Sequence, residues 1–353
     1  MNLIKSIESL RGLACLIVLF YHYPSSSYLF IQNGLLAVYF FFSLSGFVIT
    51  LNYFYKIKKF SHLLRFQYKR FLRLYPVHIF VLFLVLGIQT FKFIIIDFYQ
   101  INQGKEAFTP NEWFTLKDFV QHIFLTQSVT NLGYHLSWNG AAWSVSVEFY
   151  TYIFFAAITL MTRNNKNLYI LIIISFLYFF NDLIFLRDLF HEKFLDCLRY
   201  FFLGSIFYFI YEKIKFRISD ISLLIIISVS LFLNNKGLID LNFLFSVLII
   251  SIAALKNESL VNRILSLKIF VFLGTISYSL YMIHFSILYL YIQFLKFGLK
   301  IKFKEENLTT AEIGVPIYDT LITVSYTGIS IIVAIILYNY IENKFRQKNL
   351  KIK

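Results

Sequence analysis

Apolar residues run along this chain in blocks of membrane-crossing length, and polar residues gather in the gaps between them. A helix needs about 20 mainly apolar residues to cross the hydrocarbon core of a bilayer. Ten blocks approach that length, near 11–30, 35–55, 74–96, 141–161, 167–186, 194–212, 218–234, 239–255, 269–295 and 318–341. They are too long and too uniformly apolar for barrel strands, which alternate over about ten residues. The pattern predicts an all-α polytopic membrane bundle of about ten transmembrane helices. The blocks at 218–234 and 239–255 are short, and NNKG between them reads as a tight helical hairpin or a less regular connection. Two connections exceed ordinary turn length, 97–140 and 297–317, and the first carries Pro110, Trp113 and the polar run YHLSWNG. Long connections are often functional.

Composition sharpens this picture. The 353 residues are 58% hydrophobic, 20% aromatic and only 15% charged, whereas a soluble domain is about a quarter charged. The formal charge of +14 invites a nucleic-acid reading, but Lys and Arg cluster in short loops between apolar blocks, which is how topology signals look. With the N-terminus inside, most basic residues fall in cytoplasmic segments, above all in KIKKFSHLLRFQYKRFLR between blocks two and three. Both termini are then expected in the cytoplasm. Cys15 and Cys197 lie in apolar blocks and read as small core residues. The five histidines at 62, 78, 122, 135 and 191 form no ligand spacing with a carboxylate or thiol, so no metal site is expected. Phosphate loops, dinucleotide fingerprints and nucleophile elbows are absent from the sequence.

Four stretches hold ionisable groups at membrane depth, where such groups are functional candidates by default. In LRGLACLIVLFYH, Arg11 and His22 are separated by roughly 16 Å of helix and by close to three turns, so they share a face. Arg11 alone is an interfacial anchor, and His22 alone an interfacial histidine. In YKRFLRLYP, positions 68–76, Arg70 and Arg73 point the same way on a helix, and Pro76 suits the first turn of the next span. The pair is either positive-inside decoration or a guanidinium clamp for phosphate. In NGAAWSVSVEFYTY, Glu148 is the carboxylate firmly inside the span, with Ser144 one turn before it. Its expected depth matches that of His22, and a His–Glu pair would satisfy both groups; a structural network tying span four to its neighbours is the plainer account. In FLGTISYSLYMIHFS, His284 lies roughly 22 Å from the inner end of its helix, again in the outer half, unless it merely packs against a neighbour.

In order along the chain, these stretches resemble the acyltransferase 3 family of integral-membrane acyltransferases. That family opens with a basic residue, ten residues and a histidine, matched by Arg11 and His22. FFSLSGFVI at 41–49, Arg70 and Arg73 followed by LYP, WSVSVEFY from Trp143, and ISYSLYMIH ending at His284 follow in the family's order. IENKFR near the end keeps Glu342 and Phe345 of a Glu-Arg-Pro-Phe element. An acidic residue common just before the FFVLSGF text is absent here, with Tyr39 near its place. The resemblance implies one membrane domain over 1–341, a short basic cytoplasmic tail at 342–353, and the stand-alone type without an added hydrolase-like domain.

It further implies transfer of an acyl group, commonly acetyl, from cytoplasmic acyl-CoA to a hydroxyl of an extracytoplasmic or lipid-linked glycan. A bacterial cytoplasmic membrane is the expected location, and acyl-CoA is a donor substrate rather than a resident cofactor. Arg11, Arg70 and Arg73 would hold the CoA phosphates. His22 would act as general base with Glu148 orienting it, and Trp143, Ser144, Tyr281 and His284 would line the substrate pocket. A covalent acyl-histidine is the mechanistic rival, and the competing class is a proton-coupled transporter or flippase of a small metabolite or glycan lipid.

Overall fold

The computed structural model describes residues 5–22, 34–99, 114–179, 188–238, 240–303, 305–306 and 311–351. Pro110 and Trp113 lie outside the described residues. The helices are α1 (Lys5–Tyr21), α2 (Gly34–Tyr53), α3 (Phe60–Tyr99), α4 (Leu116–Phe124), α5 (Ala142–Met161), α6 (Lys166–Phe179), α7 (Glu192–Lys213), α8 (Asp220–Asn235), α9 (Leu241–Ala253), α10 (Leu260–Leu265), α11 (Lys268–Gln293), α12 (Pro316–Leu337) and α13 (Asn343–Lys351). Among the described residues, a two-residue antiparallel ladder, Glu305–Glu306 with Ala311–Glu312, accompanies the helices.

Every expected apolar block contains a helix. Six helical stretches among the described residues are long and apolar enough to cross a membrane, and α6, α8 and α9 are shorter apolar helices. Large apolar side chains such as Phe83, Phe91, Ile225 and Leu321 stand on the outside of the bundle. In water such a belt would be a liability, and in lipid it is the required surface.

The third block departs from expectation. The helix does not begin near Leu74 with Pro76 in its first turn; it begins at Phe60 and runs 40 residues with Pro76 inside it. Forty residues make roughly 60 Å, about twice the hydrocarbon thickness. The basic loop is thus partly the first turns of α3, with Phe60, Leu64 and Tyr68 exposed along it. Proline removes one backbone donor, and the rest of the ladder carries the helix through.

Two close crossings set the geometry of the centre. On α2 and α7, a Cβ at Gly46 would overlap the Phe201 carbonyl, and one at Gly204 would overlap the Ser43 carbonyl. On α1 and α11, Gly12 faces Gly274, and a Cβ at Gly274 would overlap the Glu8 carbonyl. Small residues that let backbones approach are the usual device of membrane helix packing, where lipid supplies no hydrophobic drive.

Contacts between connections sort the loops into two ends. At one end Asn164 bonds the Phe54 carbonyl, Tyr55 donates to Glu212, Lys166 pairs with Glu212 at 3.7 Å, Ile218 bridges Leu255 and Ser9 bonds the Leu265 carbonyl. At the other, the His191 amide donates to the Val129 carbonyl at 3.0 Å, the His135 and His191 rings lie 4.7 Å apart, and Arg199 pairs with Asp240 at 3.0 Å. The first end collects the Lys- and Arg-rich connections. Cys15 and Cys197 are both buried and unbridged.

Candidate active site

Helices α1, α2, α3, α5 and α11 enclose a pocket of about 120 Å³. Its basic end is formed by Arg11 from α1 and Arg70 and Arg73 from α3. The three-residue spacing on α3 turns Arg70 and Arg73 to the same side, as helical geometry requires. Arg11 is partly neutralised by Glu8 one turn earlier, at 3.6 Å. Arg70 is only 9% exposed, yet neither it nor Arg73 makes an ion pair among the described residues. Instead the Arg70 guanidinium donates to the Tyr53 hydroxyl at 2.9 Å and sits 5.0, 5.7 and 5.9 Å from the rings of Tyr53, Phe66 and Tyr152. Its Nε has no partner among the described residues. Aromatic faces attract a guanidinium by about 0.5–2 kcal/mol, less than the several kcal/mol that removing an ion from water costs. Such a site is disposed to take an anion.

Halfway along the wall, Ser45 donates to Glu148 Oε1 at 2.6 Å and Tyr152 donates to the same oxygen at 2.5 Å. Ser45 and Tyr152 also lie 3.0 Å from each other. Tyr152 is four residues after Glu148, so α5 itself sets that pairing, and α2 brings Ser45 across. At the far end Ser144 and Tyr281 meet at 2.9 Å and close the pocket. Beyond this pair, the Tyr281 and His284 rings lie 5.8 Å apart and those of His284 and His22 5.4 Å apart. His22 therefore turns toward α11, with Phe285 against it at 4.4 Å.

The family profile described as an acyltransferase domain matches residues 4–339. The chain belongs to the acyltransferase 3 family. No match is found among curated proteins or among solved structures. Family and helical architecture together make it a multi-pass membrane acyltransferase.

On this acyltransferase, eight of the residues singled out from sequence gather as two groups. Arg11, Arg70, Arg73, Ser144, Tyr281 and Glu148 line one pocket. His22 and His284 stand together beyond its closed end and do not line it. Trp143 packs edge-on against Phe42 at 6.0 Å, outside the lining. The expected pairing of Glu148 with His22 is not formed: Glu148 bonds Ser45 and Tyr152 instead. Helical rise explains this. Ser144 reaches the level of Tyr281, and Glu148 stands one turn further along α5, roughly 6 Å nearer the arginines.

Sequence reasoning passed over Ser45, Tyr53, Tyr152 and Glu8, and named Glu342 only as part of a motif, with no role in the site. Tyr152 at four residues from Glu148, and Glu8 at three from Arg11, carried a readable signal in helical spacing. Glu342 lies in a π-helical turn, Tyr338–Glu342, and accepts from Ser279 at 2.6 Å. Its field, with those of Glu8 and Glu148, reaches Arg73. No periodic reading anticipates a π turn that redirects one carboxylate into the bundle. Among the described residues no group of three or more His, Cys, Asp or Glu side chains could hold a metal ion.

Proposed function

We propose that this protein transfers an acyl group, acetyl in the simplest case, from cytoplasmic acyl-CoA to a hydroxyl of an extracytoplasmic or lipid-linked glycan. In this reading ten helices cross a bacterial cytoplasmic membrane, both termini are cytoplasmic, and the basic end of the pocket opens toward the cytoplasm. The observation that carries it is the pair Arg70 and Arg73, buried or half-buried and in no ion pair among the described residues, at one end of a pocket whose other end abuts two histidines. An anionic donor with a long uncharged arm suits that shape: phosphates at the guanidinium groups, thioester toward the imidazoles.

His22 takes the proton of the acceptor hydroxyl as the oxygen attacks the thioester carbonyl. The carbon–sulfur bond breaks, and the proton ends on the CoA thiolate. Positioned proton transfer of this kind contributes about 10²–10⁴-fold. Glu148 serves the donor side, holding Ser45 and Tyr152 against the arm. The Tyr281–Ser144 contact is the gate the arm must part to reach the histidines.

The experiment has two arms. Acetyl-CoA at about 100 times its dissociation constant should stabilise the purified protein by about 2.7 kcal/mol through mass action. Mass spectrometry of surface glycans with and without the protein should reveal an acyl-sized difference that His22→Ala abolishes. Proton-coupled uptake of a solute, with no response to acetyl-CoA and unchanged glycans, would overturn the proposal in favour of transport.

A further inference from the structure

His284 is 1% exposed, and its two ring nitrogens are in different situations. Nδ1 lies 2.6 Å from the Tyr281 carbonyl oxygen. A carbonyl can only accept, so Nδ1 carries a hydrogen. In the neutral ring the lone pair then belongs to Nε2, which is buried and has no partner among the described residues. A buried acceptor left unsatisfied is expensive, about 1–3 kcal/mol, and here the backbone of its own helix enforces it. The nearest imidazole is His22, 5.4 Å away between ring centres at an interplanar angle of 36°. No hydrogen bond joins the two rings among the described residues, and a rotation of the His22 ring is what would bring one of its nitrogens onto Nε2. The backbone amide of His22 bonds the Val18 carbonyl at 3.2 Å, so the residue caps α1 while its ring reaches across to α11. The Gly12–Gly274 crossing fixes how far apart these helices stand.

We infer that His284 is a positioning residue and proton partner for His22, receiving on Nε2 the proton that His22 passes back during acyl transfer. The inference rests on the acyltransferase reading above. The acceptor hydroxyl gives its proton to one nitrogen of His22. The other nitrogen of His22 hands its own proton to His284 Nε2, leaving His22 neutral and His284 an imidazolium. The alkoxide oxygen bonds the thioester carbon and the carbon–sulfur bond breaks. The protons then move back by the same route, and the thiolate leaves as thiol. Ester and thiol are the products, and both imidazoles return neutral. The arrangement spares a charged His22 at the reacting centre while the acceptor is attacked.

The titratable groups facing His284 are His22 from α1, Tyr281 on its own helix, and Tyr326 from α12, whose hydroxyl donates to the His284 carbonyl at 3.3 Å. Apart from His22, no acidic or basic side chain is seen against it among the described residues. His22 is therefore the group whose protonation it answers to.

The test measures transfer of label from acetyl-CoA into the glycan fraction of membranes holding the full chain, in mixtures of light and heavy water. His284→Gln keeps a hydrogen-bonding side chain of similar size but cannot take a proton. Its kcat should fall roughly 10- to 100-fold with KM for acetyl-CoA within about twofold. The dependence of rate on deuterium content should be curved for the wild-type protein, as two moving protons require, and linear for His284→Gln. Wild-type kcat in His284→Gln, or a linear dependence already in the wild type, overturns the inference; the second holds even if the variant fails to accumulate. Turnover that survives His22→Ala would also overturn it, by removing His22 as the base, whereas wild-type membranes that transfer no label at all would instead remove the acyltransferase reading itself.

Discussion

Arg73 is where the chemistry of a single side chain decides most. It lines the pocket beside Arg70, it makes no ion pair among the described residues, and the carboxylates that reach it do so only through space. A guanidinium held this way binds phosphate through two parallel donors, which an ammonium cannot reproduce. Arg73→Ala should raise KM for acetyl-CoA roughly 10- to 100-fold, equivalent to losing about 1.4–2.8 kcal/mol of binding, with kcat much less affected. Arg73→Lys should recover only part of that loss. Steady-state kinetics on the reconstituted protein check this, and an unchanged KM would return Arg73 to the role of a topology signal. The arginines and histidines were legible in the sequence because membrane depth makes any ionisable group conspicuous. Of the partners of Glu148, Tyr152 was legible in the four-residue spacing, but Ser45, brought across by α2, was not. Depth read along separate helices ignores crossing angles, and that error was enough to make His22 the expected partner.

At the scale of elements, the motif FFSLSGFVI has two separable jobs. Ser45 reaches Glu148, while Gly46 lets α2 lie against the backbone of α7. The reciprocal contact, Gly204 on the Ser43 carbonyl, has no catalytic neighbour to confuse the result. Gly204→Val should therefore destabilise by about 1–3 kcal/mol, as overpacking does, lowering the unfolding midpoint in detergent while leaving KM of any residual folded enzyme unchanged. An unshifted midpoint would mean that the crossing is loose. The outer connection offers a second, pH-dependent test. Burial, then the neighbouring His191 and Lys193, lowers the His135 pKa to about 4, and burial also lowers that of His191. A histidine with a depressed folded pKa binds fewer protons folded than unfolded. Its contribution is thus complete above the unfolded value near 6.5 and is lost as pH falls toward 4. Hydrogen exchange of residues 125–141 should accelerate over that window, and His135→Gln should flatten the response. Helix positions were readable from hydropathy, but these pairings were not: a run of apolar residues records membership of the membrane, not the neighbour chosen there. Proline at 76 misled for a related reason, since a single missing donor does not end a helix that its surroundings hold on both sides.

For the whole molecule, the decisive question is which way the pocket opens. The loops fall into two spatial groups, and the group containing Lys58, Asn164, Lys166 and Lys213 is the basic one. Basic segments stay on the cytoplasmic side, so the arginine end of the pocket should meet the donor there, and the loop carrying Leu132 and His135 should face outward. Because Cys15 and Cys197 are buried, they leave a quiet background for thiol labelling. A membrane-impermeant maleimide added to intact cells should label Leu132→Cys, which is 64% exposed, without further treatment. Lys58→Cys, also exposed, should react only after the membrane is opened. The opposite pattern would place the guanidinium groups on the face away from acyl-CoA, and no rearrangement of side chains could then reconcile the pocket with a cytoplasmic donor. The experiment also bears on the short helices α8 and α9. If both cross, Lys236→Cys should label from outside with Leu132→Cys; if they fold back as a hairpin without crossing, it should behave like Lys58→Cys, and the count of spans would fall by two while both termini keep their side.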